Sequence, residues 1–109
     1  MTKTQLLQKL RECNRQLRSS EVEEFFSAKS VEVNEQYFDQ RTEIKALITE
    51  LENAQLANIA ANLEKLSPEL ESGITNLNDK FEKLNNSIAI LKATSDVLGL
   101  VTRVLALFG

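Results

Sequence analysis

Few side chains in this sequence are suited to catalysis or to metal binding. The chain has no histidine and a single cysteine among its 109 residues, so the most common general base and the imidazole ligands of zinc and di-iron sites are missing. Its closely spaced carboxylates have spacings typical of charged helix faces: Glu21 with Glu24, Glu32 with Glu35, and Glu69 with Glu71. No glycine-rich phosphate loop or dinucleotide motif occurs. We therefore predict that the protein is not an enzyme and that it binds no cofactor and no metal ion.

The single cysteine also bears on the compartment. Cys13 cannot form an internal disulfide, so nothing in the sequence indicates an oxidising environment. It shares an apolar helical stripe with Leu6, Leu10 and Leu17, which indicates a small buried hydrophobe rather than a reactive thiol. We predict a cytoplasmic protein, with a peripheral membrane location as the alternative.

The net charge of −3 excludes a generally basic nucleic-acid-binding domain, but the charges are unevenly placed. Residues 1–20 hold five Lys or Arg against one Glu, whereas residues 21–52 hold nine Asp or Glu against three Lys or Arg. A basic first helix packed on an acidic second helix explains this distribution, although the composition of the start also resembles a mitochondrial presequence. The basic cluster could contact phosphates. Because no aromatic residue interleaves it, nucleic acid is not a predicted partner.

The scarcity of helix breakers predicts the fold class. With only three Gly and one Pro, the chain should form an all-α fold of long helices. Apolar residues at steps of three and four predict a short first helix over about residues 2–18 and a second helix over about residues 21–66. Ser20 followed by Glu23 fits a capping box at the start of the second helix. Residues 29–34 are its weakest part and the expected place for a kink or a short break.

Ser67 and Pro68 predict the main reversal of the chain. Ser67 suits a helix N-cap and Pro68 suits the first helical position, whereas a proline inside a continuing helix would cost about 3 kcal/mol. Folding back at this point pairs the apolar positions of the two flanking helices almost throughout. We therefore predict a long antiparallel helical hairpin of residues 21–66 and 68–108, with a kinked continuous helix as the alternative.

The third predicted helix carries the clearest apolar pattern in the chain. Between Pro68 and Phe108, nine of eleven successive steps of three and four land on an apolar residue, which is the pattern of a coiled-coil stripe. A second apolar stripe joins the first toward the C-terminal end. The predicted interaction residues on these stripes are Leu70, Ile74, Leu77, Phe81, Leu84, Ile88, Leu91, Val97, Val101, Val104 and Phe108.

The first helix is predicted to pack at the open end of the hairpin and form a three-helix bundle there. The single domain would then consist of a three-helix head (residues 1–38 and 95–109) and a two-helix arm (residues 40–94). Such an arm alone would expose the flanks of its stripes, although helices in water draw most of their stability from packing. We therefore expect two arms to pair in a homo-oligomer or one arm to pack on a helical partner.

Residues 97–108 form the most apolar stretch, and a helix that is apolar nearly all round needs several neighbours or an apolar medium. A membrane span needs about 20 apolar residues, and extending this stretch backward would include Lys92 and Asp96, so we do not predict one. Our leading hypothesis is a non-enzymatic helical protein that self-associates or binds a helical partner through its apolar stripes. The alternative is a membrane-docking or membrane-active protein that uses residues 97–108 on a membrane surface.

Overall fold

The structure is a computed structural model that describes residues 1–106. These residues form five helices. They are α1 (Lys3–Leu17), α2 (Ser20–Ser27), α3 (Val31–Asn53), α4 (Leu56–Lys83) and α5 (Ser87–Leu105). The predicted all-α fold class is confirmed, and the helices pack against one another as a bundle. Phe108, one of the predicted interaction residues, lies outside the described residues.

The helix starts follow from local side-chain caps. Thr2 forms a capping box with Gln5 at the start of α1, and the Ser19 hydroxyl accepts a hydrogen bond from the Val22 N–H at the start of α2. The cap of α2 is therefore Ser19, one residue earlier than the predicted Ser20. Ser30 caps α3 in the same way, accepting from the Val33 N–H. Each cap satisfies an N–H group that has no partner within its own helix.

The predicted second helix over residues 21–66 is interrupted twice. The first break, at residues 28–30, overlaps the segment of residues 29–34, where the sequence predicts a kink or a short break. The second break, at Ala54 and Gln55, is not predicted by the sequence, because the surrounding alanines favour helix. Here tertiary contacts compensate: the Lys3 ammonium donates hydrogen bonds to the carbonyls of Glu52 (3.2 Å) and Ala54 (2.6 Å). These bonds satisfy acceptors at the C-terminal end of α3.

The predicted chain reversal at Ser67 and Pro68 is wrong, because α4 continues through both residues. Pro68 lies on the exposed side of α4, so the Glu64 carbonyl that loses its helical donor is on a side that water reaches. Leu66 and Leu70, on either side of Pro68, are buried. Burying one leucine contributes about 1.5–3 kcal/mol, so keeping both in one apolar face offsets the cost of the proline. The alternative prediction, a helix that continues through Pro68, therefore describes this segment.

The reversal occurs instead at residues 84–86, between α4 and α5. Leu84 ends α4 in the left-handed helical conformation, with φ 42° and ψ 45°, and it is the only residue other than glycine with positive φ within residues 1–106. For a residue with a β-carbon this conformation costs about 1–2 kcal/mol. Asn86 then caps α5 by accepting a hydrogen bond from the Ala89 N–H at 3.0 Å. A strained leucine, rather than the proline, therefore marks the turn.

Helices α4 and α5 form the most extensively packed pair, and they run antiparallel. The Arg103 guanidinium of α5 lies 3.9 Å from the Glu69 carboxylate of α4. The Asn62 amide of α4 donates to backbone carbonyls at the end of α5, the shortest of these bonds being 2.8 Å to the Ala106 carbonyl. Asn62 thus binds acceptors at a helix end that have no donor within their own helix.

The remaining helices complete a bundle in which α3 and α4 lie diagonally. Helix α1 is antiparallel to α3, and both α3 and α4 pack on α5 and on α1. Although only two residues join α3 to α4, these two helices are not close neighbours. The bundle measures 44 × 21 × 20 Å, and its long dimension matches the length of about 42 Å expected for the 28 residues of α4.

This packing does not form the predicted head and arm. The arm of residues 40–94 required the chain to fold back at Pro68, but α4 crosses that point without reversing. Helix α1 also lies along the C-terminal part of α3, as the contact between Lys3 and Ala54 shows, rather than at one end of a hairpin. A single core of buried apolar side chains receives contributions from all five helices.

Replacing the proline tests its position within a helix. Pro68→Ala should raise the free energy of unfolding by about 1–2 kcal/mol, because it restores the N–H donor to the Glu64 carbonyl and removes the clash of the ring with the preceding turn. The measurement is urea unfolding followed by circular dichroism. Glu71→Ala, at another exposed position of α4, is the control and should change stability little. An unchanged or lower stability of Pro68→Ala would mean that Pro68 starts a helix.

Candidate interaction surface

The structure places most of the predicted interaction residues in the core of the chain itself. The buried members are Leu70, Ile74, Leu77, Phe81, Leu91, Val97, Val101 and Val104. Leu84 is partly buried against this core, whereas Ile88 is 62% exposed. The stripe therefore holds α4, α5 and their neighbours together within one molecule. Of the predicted residues that the structure describes, Ile88 alone is largely accessible while the bundle is closed.

The same burial applies to the segment considered for membrane contact. Val97, Val101 and Val104 face the core and are fully covered by neighbouring helices. Among residues 1–106, no helix combines the length and the apolar character needed to cross a membrane. Contact between these valines and lipid would require α5 to leave the bundle.

A cluster of aromatic rings joins α2 to α3. The Phe26 and Tyr37 rings are stacked with centroids 4.4 Å apart, and Phe25 meets Phe26 edge-on at 5.4 Å. Phe26 and Tyr37 are fully buried, and the Tyr37 hydroxyl donates a hydrogen bond to the Leu17 carbonyl at the end of α1. The cluster thus fixes three helices relative to one another through stacking and one buried hydrogen bond.

The outer side of this cluster is exposed. Phe38 is 49% exposed, and its ring lies 5.2 Å from that of Tyr37. Val31, which is 70% exposed, lies two turns earlier on α3 and therefore on the same side of the helix. We call Val31 and Phe38 together the α3 apolar face. The Arg41 guanidinium lies 5.1 Å from the Phe38 ring centroid and supports the ring from one side.

Acidic side chains without ion-pair partners lie on the same helix. The exposed carboxylates of α3 that form no ion pair within residues 1–106 are Glu32, Glu35, Asp39, Glu43 and Glu50. By contrast, the basic residues of α1 are largely engaged: Arg11 pairs with Glu52 at 2.8 Å, and Arg15 pairs with Glu12. The outer surface of α3 therefore carries a negative charge that the described part of the chain does not neutralise.

The only thiol of the chain, that of Cys13, is unsuited to act as a nucleophile. Cys13 is fully buried, and desolvation, with a smaller effect of the neighbouring Glu12 carboxylate, raises its pKa to about 11. A thiol with so high a pKa is protonated at neutral pH and is a poor nucleophile. No group of His, Cys, Asp or Glu within the described residues is placed to hold a metal ion.

The clefts of the bundle offer space but few reactive groups. One cleft of about 440 Å³ lies between the starts of α1 and α4, with Met1, Leu56 and Leu63 among its lining residues. Another lies between α4 and α5 and is lined both by small residues such as Gly73 and Gly99 and by the charged residues Glu69, Asp96 and Arg103. Neither cleft is lined by a histidine or a cysteine, the side chains that most often serve as general base or nucleophile at neutral pH.

Comparisons with known protein families, with curated proteins and with solved structures find no match to this chain. The surfaces of the bundle are therefore the basis for a functional proposal.

Sequence reasoning missed the α3 apolar face. A chain that folds back at Ser67 and Pro68 would place Phe38 opposite Leu98, so the predicted hairpin makes Phe38 a core residue. Val31 and Phe38 are seven residues apart, as are the buried Tyr37 and Ile44. Two such sets, offset by one position, could have indicated a second apolar face on α3. With the pairing of helices unknown, however, either set of residues could have been the core.

The buried thiol makes stability depend on pH in the alkaline range. Because folding raises the Cys13 pKa from 9.0 to about 11, the unfolded chain releases this proton first as the pH rises. The stabilising contribution is therefore complete below pH 9 and is lost as the pH approaches 11, by about 3 kcal/mol in total. Burial also raises the Tyr37 pKa, which acts in the same direction.

Urea unfolding measured between pH 8 and pH 11, at intervals of about half a unit, tests this dependence. Cys13→Ala should lower stability at pH 8 but flatten the decline above pH 9, because the alanine has no proton to release. An equally steep decline in this variant would show that other groups cause the pH dependence.

Proposed function

We propose that this protein is a non-enzymatic helical interaction protein that self-associates or binds a helical partner through the α3 apolar face. The observation that supports this most directly is the exposure of Phe38 and Val31 on one side of α3, although the chain has a complete core without them. Single exposed apolar residues are common. An exposed phenylalanine that is joined to a buried aromatic cluster is better suited to binding, because its position is fixed before a partner arrives.

Fixed aromatic side chains are favourable contact residues. The Phe38 ring packs beside Tyr37, and Arg41 covers another part of it. A partner that covers Phe38 therefore immobilises a side chain that is already restricted, so binding loses less conformational entropy. Aromatic residues of this kind often contribute most of the binding energy of a protein–protein interface.

The charge around the α3 apolar face suggests the chemistry of the partner. Glu35 and Asp39 flank Phe38 in sequence and are exposed without ion partners within the described residues. A partner helix with Lys or Arg beside its apolar residues would complement this surface and would be steered toward it. A second copy could supply such residues from the exposed side of α1, where Lys9 lies.

The membrane-docking alternative has less support. It relies on α5, whose valines are in the core, and the exposed charged residues of α3 are mostly acidic. Membrane surfaces that bind proteins electrostatically are anionic and attract basic segments. Use of α5 on a membrane thus stays a prediction of the sequence that no structural observation favours.

Two exposed substitutions test the proposal. Val31→Ser combined with Phe38→Ser should leave helicity by circular dichroism unchanged and weaken self-association, measured by light scattering over a range of concentrations, at least about tenfold. In parallel, the wild-type protein is titrated with a synthetic amphipathic helix of Leu and Lys and with its Leu and Glu counterpart. If the partner is a different protein, we expect the wild-type protein to bind the Leu and Lys peptide but not the Leu and Glu peptide. The double variant should bind neither.

Leu56→Ser is the matched control, because Leu56 is 57% exposed but lies at the start of α4. It should leave both self-association and peptide binding unchanged. A wild-type protein that stays monomeric at every concentration and binds neither peptide would contradict the proposal. Equal effects of the control and the double variant would place the contact elsewhere.

A further inference from the structure

We propose that two copies of this chain join by exchanging α5, so that each α5 packs on α3 and α4 of the other copy. The exchange would open the turn at residues 84–86 and rebuild the packing of α5 between molecules. This inference goes beyond the proposed function, because its contact does not use the α3 apolar face and its partner is a second copy of this chain. The surface concerned is the one that α5 already occupies.

The turn is the strained point of the backbone. Leu84 has φ 42° and ψ 45°, the left-handed conformation that glycine tolerates and a leucine does not favour. Only three residues connect α4 to α5, and none of them is glycine or proline. Opening the turn lets Leu84 return to ordinary backbone angles, and short strained hinges of this kind favour exchange between molecules.

The sequence on both sides of the turn is also compatible with an open, helical hinge. Apolar residues at steps of three and four continue without interruption through Phe81, Leu84, Ile88 and Leu91. No residue at this junction prevents α4 from extending beyond Lys83. The single proline of the chain lies elsewhere, within α4.

A symmetric exchange would retain the contacts that now hold α5. These include the burial of Val97 and Val101, the hydrogen bonds from Asn62 to the end of α5, and the bond from the Gln40 amide to the Leu91 carbonyl at 2.8 Å. Each would form again with the same residues of the other copy, because the interface is made by identical chains. Only the turn itself changes its conformation.

Ile88 supplies a contact that the closed monomer lacks. It lies one residue after the start of α5 and is 62% exposed. In an exchanged dimer the two hinges cross close to the twofold axis, so the Leu84 and Ile88 side chains of both copies come together. An apolar residue that is left unburied in the monomer thereby gains a partner in the dimer.

Cross-linking across the α4–α5 interface tests the exchange. Glu69→Cys with Arg103→Cys places two exposed thiols where the wild-type side chains approach to 3.9 Å. The protein is refolded at high concentration, separated by size exclusion, and treated with a short bismaleimide cross-linker. Cys13 is fully buried and should not react. We expect the dimer fraction to give a covalent dimer on a denaturing gel and the monomer fraction to give a covalent monomer.

Arg11→Cys with Glu52→Cys is the matched control. These residues pair at 2.8 Å across α1 and α3, and both precede the hinge, so their cross-link stays within one chain in either form. A dimer fraction in which the α4–α5 pair also links within one chain would overturn the exchange and leave ordinary self-association standing. Absence of any dimer would overturn both the exchange and the self-association part of the proposed function.

A hinge variant gives an independent test. Leu84→Gly should relieve the left-handed strain in the closed form and raise the dimer dissociation constant about tenfold or more, since a dimer opens two hinges. If this variant folds poorly by circular dichroism, Leu84→Asn replaces it, because asparagine also tolerates this conformation. Ile88→Ser should likewise reduce the dimer fraction. An unchanged dimer fraction in the folded hinge variant would overturn the proposal.

Discussion

The continuous apolar face of α4 is the feature on which the rest of the bundle depends. From Ile59 to Phe81 this face is buried along the whole helix, and α1 and α5 both pack against it. Its continuity requires the helix to pass through Pro68, where one backbone hydrogen bond is lost. Leu66 and Leu70 flank the proline on the buried side. Breaking the helix there would expose both leucines to water, and the free energy of this exposure exceeds the free energy of the one lost hydrogen bond. The proline is therefore kept in the helix by packing on the opposite side.

This balance explains which parts of the fold could be predicted from the sequence. Helical periodicity and the scarcity of glycine and proline identify the all-α class, and side-chain caps such as Ser30 follow rules that act within one turn. The positions of the reversals do not follow such rules. Pro68 is a strong local indication of a helix start, whereas Leu84 is a poor residue for a turn, and in both places tertiary packing overrides the local preference.

The candidate interaction surface shows a related limit. An apolar stripe indicates that a helix face is buried, but it does not indicate whether the covering helix belongs to the same chain. The residues from Leu70 to Phe81 could thus be recognised as contact residues, although the contacts that they make are internal. Phe38 and Val31 are identified as exposed only once Tyr37 is known to turn inward and bind the Leu17 carbonyl. Neighbouring positions on a helix differ by about 100° in direction, so one such assignment fixes the others.

The diagonal placement of α3 and α4 bears on how the chain acquires its structure during synthesis. These consecutive helices do not form a hairpin with each other. Helix α5, which covers one side of both of them, is synthesised after them. Until α5 is made, the apolar sides of α3 and α4 that it covers remain open to water and to other chains. On a polysome, the nearest available α5 can belong to the preceding nascent chain. The order of helices along the sequence therefore exposes α3 and α4 of each newly made molecule to its neighbours before its own α5 is available.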